Sequence, residues 1–163
     1  MLSSSFFINI PHIMKKILVV CLGNICRSPL AEGILQHQLG NNFIVESAGT
    51  IDMHKGKQPD HRSIHVAQQH GIDISKQKSR PFVVSDFDEF DMIYCMDEEN
   101  LKDVHAISDT AEQRKKVKLF LEVLNDPAKT EVPDPYWGGA EDFEKIFQLI
   151  ESASILIAKD LKS

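Results

Sequence analysis

The amino-acid sequence predicts an α/β fold: a small, doubly wound sheet of four parallel strands, flanked by helices on both faces. Three observations predict it. Strand-like and helix-like segments alternate along the chain. The strand-like runs around residues 17–20 and 92–96 are apolar throughout, as strands covered on both faces must be. With 163 residues, 42% of them hydrophobic, the chain can bury one core of its own. No internal repeat, linker or low-complexity tract divides it.

Residues 16–20 read as the first strand, β-branched toward its end. A helix follows over 29–39, with Leu30, Ile34 and Leu35 on one face. Ser28 stands where a cap belongs, Pro29 suits a first turn, and Gly40 is a stop signal. Residues 43–47 are a short strand, and 47–56 read as loop. Pro59 or Asp60 opens a helix that runs to His70 and ends at Gly71. Residues 85–90 suit a short helical turn, and 92–96 a buried strand. Asp97 or Glu98 begins a helix whose acidic first turn matches the macrodipole. Residues 117–120 are the fourth strand. A long helix over 140–159 completes the chain, its apolar face supplied by Phe143, Ile146, Phe147, Ile150, Ile155 and Leu156.

A net charge of −6 argues against nucleic-acid or acidic-membrane partners. Any anion must therefore be caught locally. Three cysteines do not make a secreted disulfide framework, so a reducing cytoplasm is the expected home. The seven histidines show no convincing metal spacing, and neither metal nor cofactor is expected. No run is long enough to span a membrane. Residues 1–13 lack a basic start and are broken by Asn9 and Pro11, so they read as an N-terminal extension of unclear role rather than a signal peptide. Residues 14–163 are expected to form the single domain.

The chemistry concentrates in Cys21-Leu22-Gly23-Asn24-Ile25-Cys26-Arg27-Ser28. A strand delivers Cys21 to a sheet edge, and Gly23 and Asn24 tolerate the left-handed angles of a tight loop. Loop amides at a helix N-terminus then form an anion nest. Arg27 adds a planar, two-pronged donor for phosphate oxygens. The same positive field favours thiolate at Cys21 and makes it a nucleophile. The plainer alternative is a buried cysteine beside an unrelated arginine. Far along the chain, two prolines bracket Asp134, and Tyr136, Trp137, Gly138 and Gly139 follow. A stiff acidic loop with exposed rings suits a general acid beside a wall for a flat substrate; a helix cap is the alternative for Asp134.

Together these motifs closely resemble the low-molecular-weight protein tyrosine phosphatases. The likeness spans nearly all of the chain from Met14 and includes Glu46-Ser47-Ala48-Gly49-Thr50, His70-Gly71-Ile72, Tyr94-Cys95-Met96-Asp97-Glu98 and Asp134-Pro135-Tyr136. It implies a phosphate loop after the first strand, with Cys21 as nucleophile, Arg27 as phosphate clamp and Asp134 as general acid and base. It implies that Asn24 braces the loop with Ser47 and His70, that Ser28 donates to the Cys21 sulfur, and that Asp97 orients Arg27. For His70 a polar residue before a helix-ending glycine, and for Asp97 a helix cap, are the alternatives. Leu22, Gly23, Ile25 and Cys26 complete the loop. Tyr136 and Trp137 would line the cleft, with Met53 where many relatives carry an aromatic. Cys26 can form a reversible disulfide with Cys21 or simply fill space; Cys95 reads as core.

The implied reaction is hydrolysis of aryl phosphate monoesters, with phosphotyrosine-bearing proteins as substrates and a monomer or weak homodimer as the working unit. Three alternatives remain. A protein arginine phosphatase on the same fold typically has threonine in place of Ile25. An arsenate reductase needs a distal cysteine pair and lacks the Asp-Pro-Tyr loop. A noncatalytic phosphate-binding or redox-sensing module would not need Cys21, Arg27 and Asp134 intact.

Overall fold

The structure is a computed structural model and describes residues 14–163; the expected extension over 1–13 lies outside them. Four strands, β1 (Lys15–Cys21), β2 (Phe43–Gly49), β3 (Met92–Cys95) and β4 (Val117–Leu119), form one parallel sheet in the order β2-β1-β3-β4. The chain winds outward from β1 to β2, then returns to β3 on the other side. The direction of winding therefore reverses at β1, where α/β sheets open a crevice at the carboxyl ends of their strands.

The side chains of β1 alternate between two cores. Ile17, Val19 and Cys21 pack with α1 (Arg27–Leu39), α2 (His61–Gln69) and α6 (Ala140–Lys162). Leu18 and Val20 pack on the opposite face with Phe82, Phe87, Phe90 and Val104, carried by the segment before β3, by α3 (Asp86–Glu89) and by α4 (Glu98–Ile107). Burial on both faces explains why β1 is apolar from Ile17 to Val20 instead of alternating.

Several expected details are corrected. The first helix begins at Arg27, with Cys26 at its N-cap and no side-chain cap, so Ser28 lies inside the first turn and caps nothing. The second strand continues to Gly49, because its end pairs with the 79–82 segment: the Gly49 amide donates to the Arg80 carbonyl and the Phe82 amide to the Gly49 carbonyl. On α6 the apolar stripe runs through Phe143, Ile146, Phe147, Ile150, Ala153 and Ile157; Ile155 and Leu156 fall off that stripe and are exposed. Two short elements were not anticipated: α5 (Ala111–Lys115), held by a Thr110–Gln113 capping box, and a 3₁₀ turn at Phe120–Leu124. Local stop and start signals hold well. Gly40 ends α1 at a φ of 80°, Asp60 caps α2 and Asp97 caps α4.

Candidate active site

Cys21 is the last residue of β1 and stands beside Gly49 of β2 in the sheet register. The chain then closes a tight loop and enters α1 at Arg27. Asn24 is the pivot. Its φ is 55°, a left-handed angle that asparagine tolerates better than most residues. Gly23 does not take such an angle, contrary to expectation. Space beside it is tight: an added Cβ would lie 3.1 Å from the His54 ring, which would have to shift slightly. Gly49 needs to be small, since a Cβ there would lie 2.8 Å from the Leu22 carbonyl oxygen.

The strained Asn24 backbone is held by its own side chain. Asn24 Nδ2 donates to Ser28 Oγ (2.8 Å) and Ser47 Oγ (2.9 Å), and Asn24 Oδ1 accepts from the Arg80 amide (3.0 Å). Ser28 Oγ lies 3.0 Å from Cys21 Sγ, which also accepts from the Asn24 amide at 3.3 Å. Ser47 Oγ in turn donates to Glu32 Oε1 (2.8 Å). Burial pushes the Glu32 carboxyl up to about 7, against the hydrogen bond from Ser47. Neither Glu32 nor Arg80 belongs to a motif that would mark it in the sequence. His70 was expected to brace Asn24 and does not. Its ring stacks on Phe147 at 3.9 Å and its Nε2 meets Glu144 at 2.9 Å, so it fastens α2 to α6 instead.

Arg27 is 3% exposed. Its Nη1 donates to Asp97 Oδ2 (2.6 Å) and to the Val132 carbonyl (3.0 Å), while Nη2 lies 3.8 Å from Asp134 Oδ2. Burial works against the Arg27 charge, but Cys21, Asp97 and Asp134 outweigh it and hold its pKa above the ordinary value. Asp97 divides its oxygens: Oδ2 takes Arg27, and Oδ1 accepts the Asn100 amide at 2.8 Å and caps α4. The two readings of Asp97 are thus compatible.

Asp134 does not cap α6. Gly139 occupies the cap, and its amide donates to Asp142 Oδ2 at 2.9 Å. Asp134 accepts the Tyr136 amide at 3.1 Å and projects into a cavity of about 380 Å³. That cavity brings together Cys21, Leu22, Gly23, Ile25, Cys26, Arg27, Met53, Asp134, Tyr136 and Trp137, with Ile51 and His54 added. Tyr136 and Trp137 meet edge to face at 4.9 Å. Among the described residues, the loop amides of Leu22, Gly23, Ile25 and Cys26 donate to no protein acceptor, which leaves four donors free for an anion. Burial pushes the Cys26 thiol up to about 12, so it stays protonated at neutral pH. Cys95 is fully buried in the second core.

A family model described as low molecular weight phosphotyrosine protein phosphatase matches residues 16–163. The chain belongs to that family. The human low molecular weight phosphotyrosine protein phosphatase is 40% identical over 142 residues, 82% of this chain and 87% of the relative. The pig protein of the same name is 37% identical over 145 residues, 84% of this chain and 89% of the relative. Among solved structures, a protein tyrosine phosphatase from Entamoeba histolytica superposes with a TM-score of 0.85 at 35% identity, covering 91% of this chain and 97% of that one. Wzb of Vibrio vulnificus, solved with benzylphosphonate, gives 0.82 at 33% identity, covering 90% and 99%. The phosphatase thus shares both fold and enzyme class with these proteins, and its four parallel strands are theirs.

Proposed function

We propose that the phosphatase hydrolyses phosphotyrosine and related aryl phosphate monoesters through a phosphocysteine intermediate. One observation carries this reading: Cys21, Arg27 and Asp134 line the same cavity, with Cys21 Sγ held at 3.0 Å by Ser28 and Arg27 within 3.8 Å of Asp134.

In the first step the Cys21 thiolate attacks phosphorus and the P–O bond to the aryl group breaks. Arg27 and the free loop amides hold the equatorial oxygens, and Asp134 gives its proton to the departing phenolate. In the second step water attacks the phosphocysteine, Asp134 takes a proton from that water, and the P–S bond breaks to release inorganic phosphate. Ser28 donates to the departing sulfur. No step calls for a metal or a cofactor. The rings of Tyr136 and Trp137, with Ile25, Ile51 and Met53, offer an apolar mouth for the tyrosine ring. The free, buried cysteines suit a reducing cytoplasm and protein substrates there. We take residues 14–163 as the single phosphatase domain, working as a monomer or weak homodimer.

A steady-state comparison of phosphotyrosine, phosphoserine and phosphoarginine peptides tests the substrate class, with phosphotyrosine expected to lead. Ile25 lines the cavity and offers no hydrogen bond to a guanidinium, so a polar group buried there unpaired costs about 1–3 kcal/mol. Ile25→Thr should raise kcat/KM for phosphoarginine relative to phosphotyrosine. A wild type that prefers phosphoarginine would overturn the aryl reading.

A further inference from the structure

The loop that carries Asp134 is exposed, yet Asp134 must be brought to one place above the phosphate loop. The residue that ties the two together is not in either loop. Asp60 and Arg62 sit at the start of α2, and this helix end is fastened directly to the phosphate loop. The Asp60 amide donates to the Ile25 carbonyl at 2.7 Å, and Ser63 Oγ donates to the Cys26 carbonyl at 3.2 Å. From this anchor the Arg62 side chain reaches the other loop. Its Nη2 donates to the Tyr136 carbonyl (2.9 Å) and its Nη1 to the Gly138 carbonyl (3.0 Å). Asp60 grips the remaining edge of the same guanidinium, with Oδ1 at 3.0 Å from Nε and Oδ2 at 2.9 Å from Nη2. The face of the guanidinium lies 4.5 Å from the Phe143 ring centroid and 5.7 Å from that of Tyr136. Four of the five donors of a planar group are thereby used, and its plane is fixed as well.

We propose that Arg62 is a positioning residue that holds the 134–139 loop over the phosphate loop and so sets the pose of Asp134. This rests on the reading of Asp134 as general acid. The two carbonyls that Arg62 grips lie two and four residues after Asp134, and the Tyr136 amide is the group that Asp134 accepts from. Holding the Tyr136 peptide from its carbonyl side therefore holds the donor on its amide neighbour, and with it the carboxylate. A lysine keeps the charge but lacks the fork and the plane.

The test uses the full chain with Arg62→Gln and Arg62→Lys, beside Asp134→Asn as reference. Three quantities are read: kcat/KM across aryl phosphates of graded leaving-group acidity, inhibition by inorganic phosphate, and fluorescence anisotropy of Trp137. Trp137 is the single tryptophan of the chain and lies in the loop in question, so its signal belongs to that loop alone. In Arg62→Gln the expected kcat/KM falls about tenfold for the poorest leaving groups and little for the best, because a misplaced acid matters only where protonation is needed. Trp137 anisotropy falls. The inhibition constant for phosphate stays within about twofold, since the phosphate loop keeps its own braces; general unfolding would move it. Arg62→Lys recovers only part of the loss.

An equal fall across the leaving-group series, or full recovery by lysine, overturns the proposal. If Asp134→Asn steepens the leaving-group dependence and Arg62→Gln does not, the clamp falls while the acid reading stands. If Asp134→Asn gives a flat loss, the acid reading falls, and the proposal falls with it as stated.

Discussion

The loop from Cys21 to Ser28 and the loop from Val132 to Gly139 face each other across one cavity, yet they are built in opposite ways. In the first, Asn24, Arg27 and Ser28 are at most 3% exposed, and the side chains of all three are hydrogen-bonded within the protein. In the second, Tyr136 is 39% exposed and Trp137 93%. Its backbone is tied down at Val132 by the Met96 carbonyl and at Tyr136 and Gly138 by Arg62, and Pro135 is buried, while Asp134, Tyr136 and Trp137 are exposed. Charge that builds on a transferring phosphoryl group is best met by donors that need not move. A leaving group that varies from substrate to substrate, and a ring that must enter and depart, need an open wall. Under the proposed mechanism the contrast separates two jobs that share one site: a preorganised anion trap and an accessible proton donor.

The largest expected effect lies in the trap. Cys21→Ser should remove turnover for every substrate while far-UV circular dichroism and Tm stay near wild type, because serine is smaller but its alcohol is not ionised there. Steady-state assays check this, and turnover within about tenfold of wild type would break the nucleophile assignment.

Next comes the open loop. Asp134→Ala should lower kcat/KM by about a hundredfold for poor leaving groups, with the loss shrinking as the leaving phenol becomes more acidic. A loss of equal size across the series would erase the difference between the loops.

Asn24→Ala tests how far the trap depends on its pivot. It removes three side-chain hydrogen bonds and leaves alanine at a φ of 55°. Denaturant unfolding should show a loss of about 2–4 kcal/mol, and kcat should fall by one factor for all leaving groups. Asn24→Gly relieves the angle without restoring the bonds, so it should regain only about 1 kcal/mol. Full recovery in Asn24→Gly would show that the angle, and not the bracing, is what Asn24 supplies.

The effect furthest from turnover is on the pH dependence of stability. Glu32 ionises near its ordinary value of 4.5 when unfolded and near about 7 when folded, because burial disfavours its charge; Glu46 adds to this and Arg80 opposes it. The folded state therefore holds the extra proton between those values. Its stabilisation is complete below pH 4.5 and declines as pH rises toward 7. The decline amounts to about 3 kcal/mol at most. Glu32→Gln should flatten the stability curve over that window in urea titrations at graded pH. An unchanged slope would remove Glu32 from the bracing of the trap.

Much of the molecule was readable one residue at a time. The buried run of β1, the stop at Gly40 and the caps at Asp60 and Asp97 are decided within a few residues of themselves, by burial, by φ and by a side chain reaching the next turn. So was the pairing of Cys21 with Arg27, because one short loop fixes both. The readings that failed share a different character. Ser28 has the chemistry of a cap, but Cys21 and Asn24 compete for its hydroxyl and α1 starts earlier. His70 has the chemistry of a brace, but Phe147 and Glu144 on α6 claim its ring. The amide that does complete the Asn24 bracing belongs to Arg80, 56 residues away, and a backbone amide leaves no mark in a sequence.

Legible in the sequence, then, were the strand–loop–helix that brings Cys21 and Arg27 to one cavity and the proline-bracketed acidic loop that lines it from the other side. Those are matters of local backbone preference and side-chain chemistry. Only the tertiary structure decided which partners hold them: Ser47 and Glu32 beneath Asn24, Asp97 and the Val132 carbonyl on Arg27, and Arg62 reaching Gly138 across 76 residues of chain. Such contacts depend on how the sheet winds about β1, and several of them run to backbone groups that every residue carries alike.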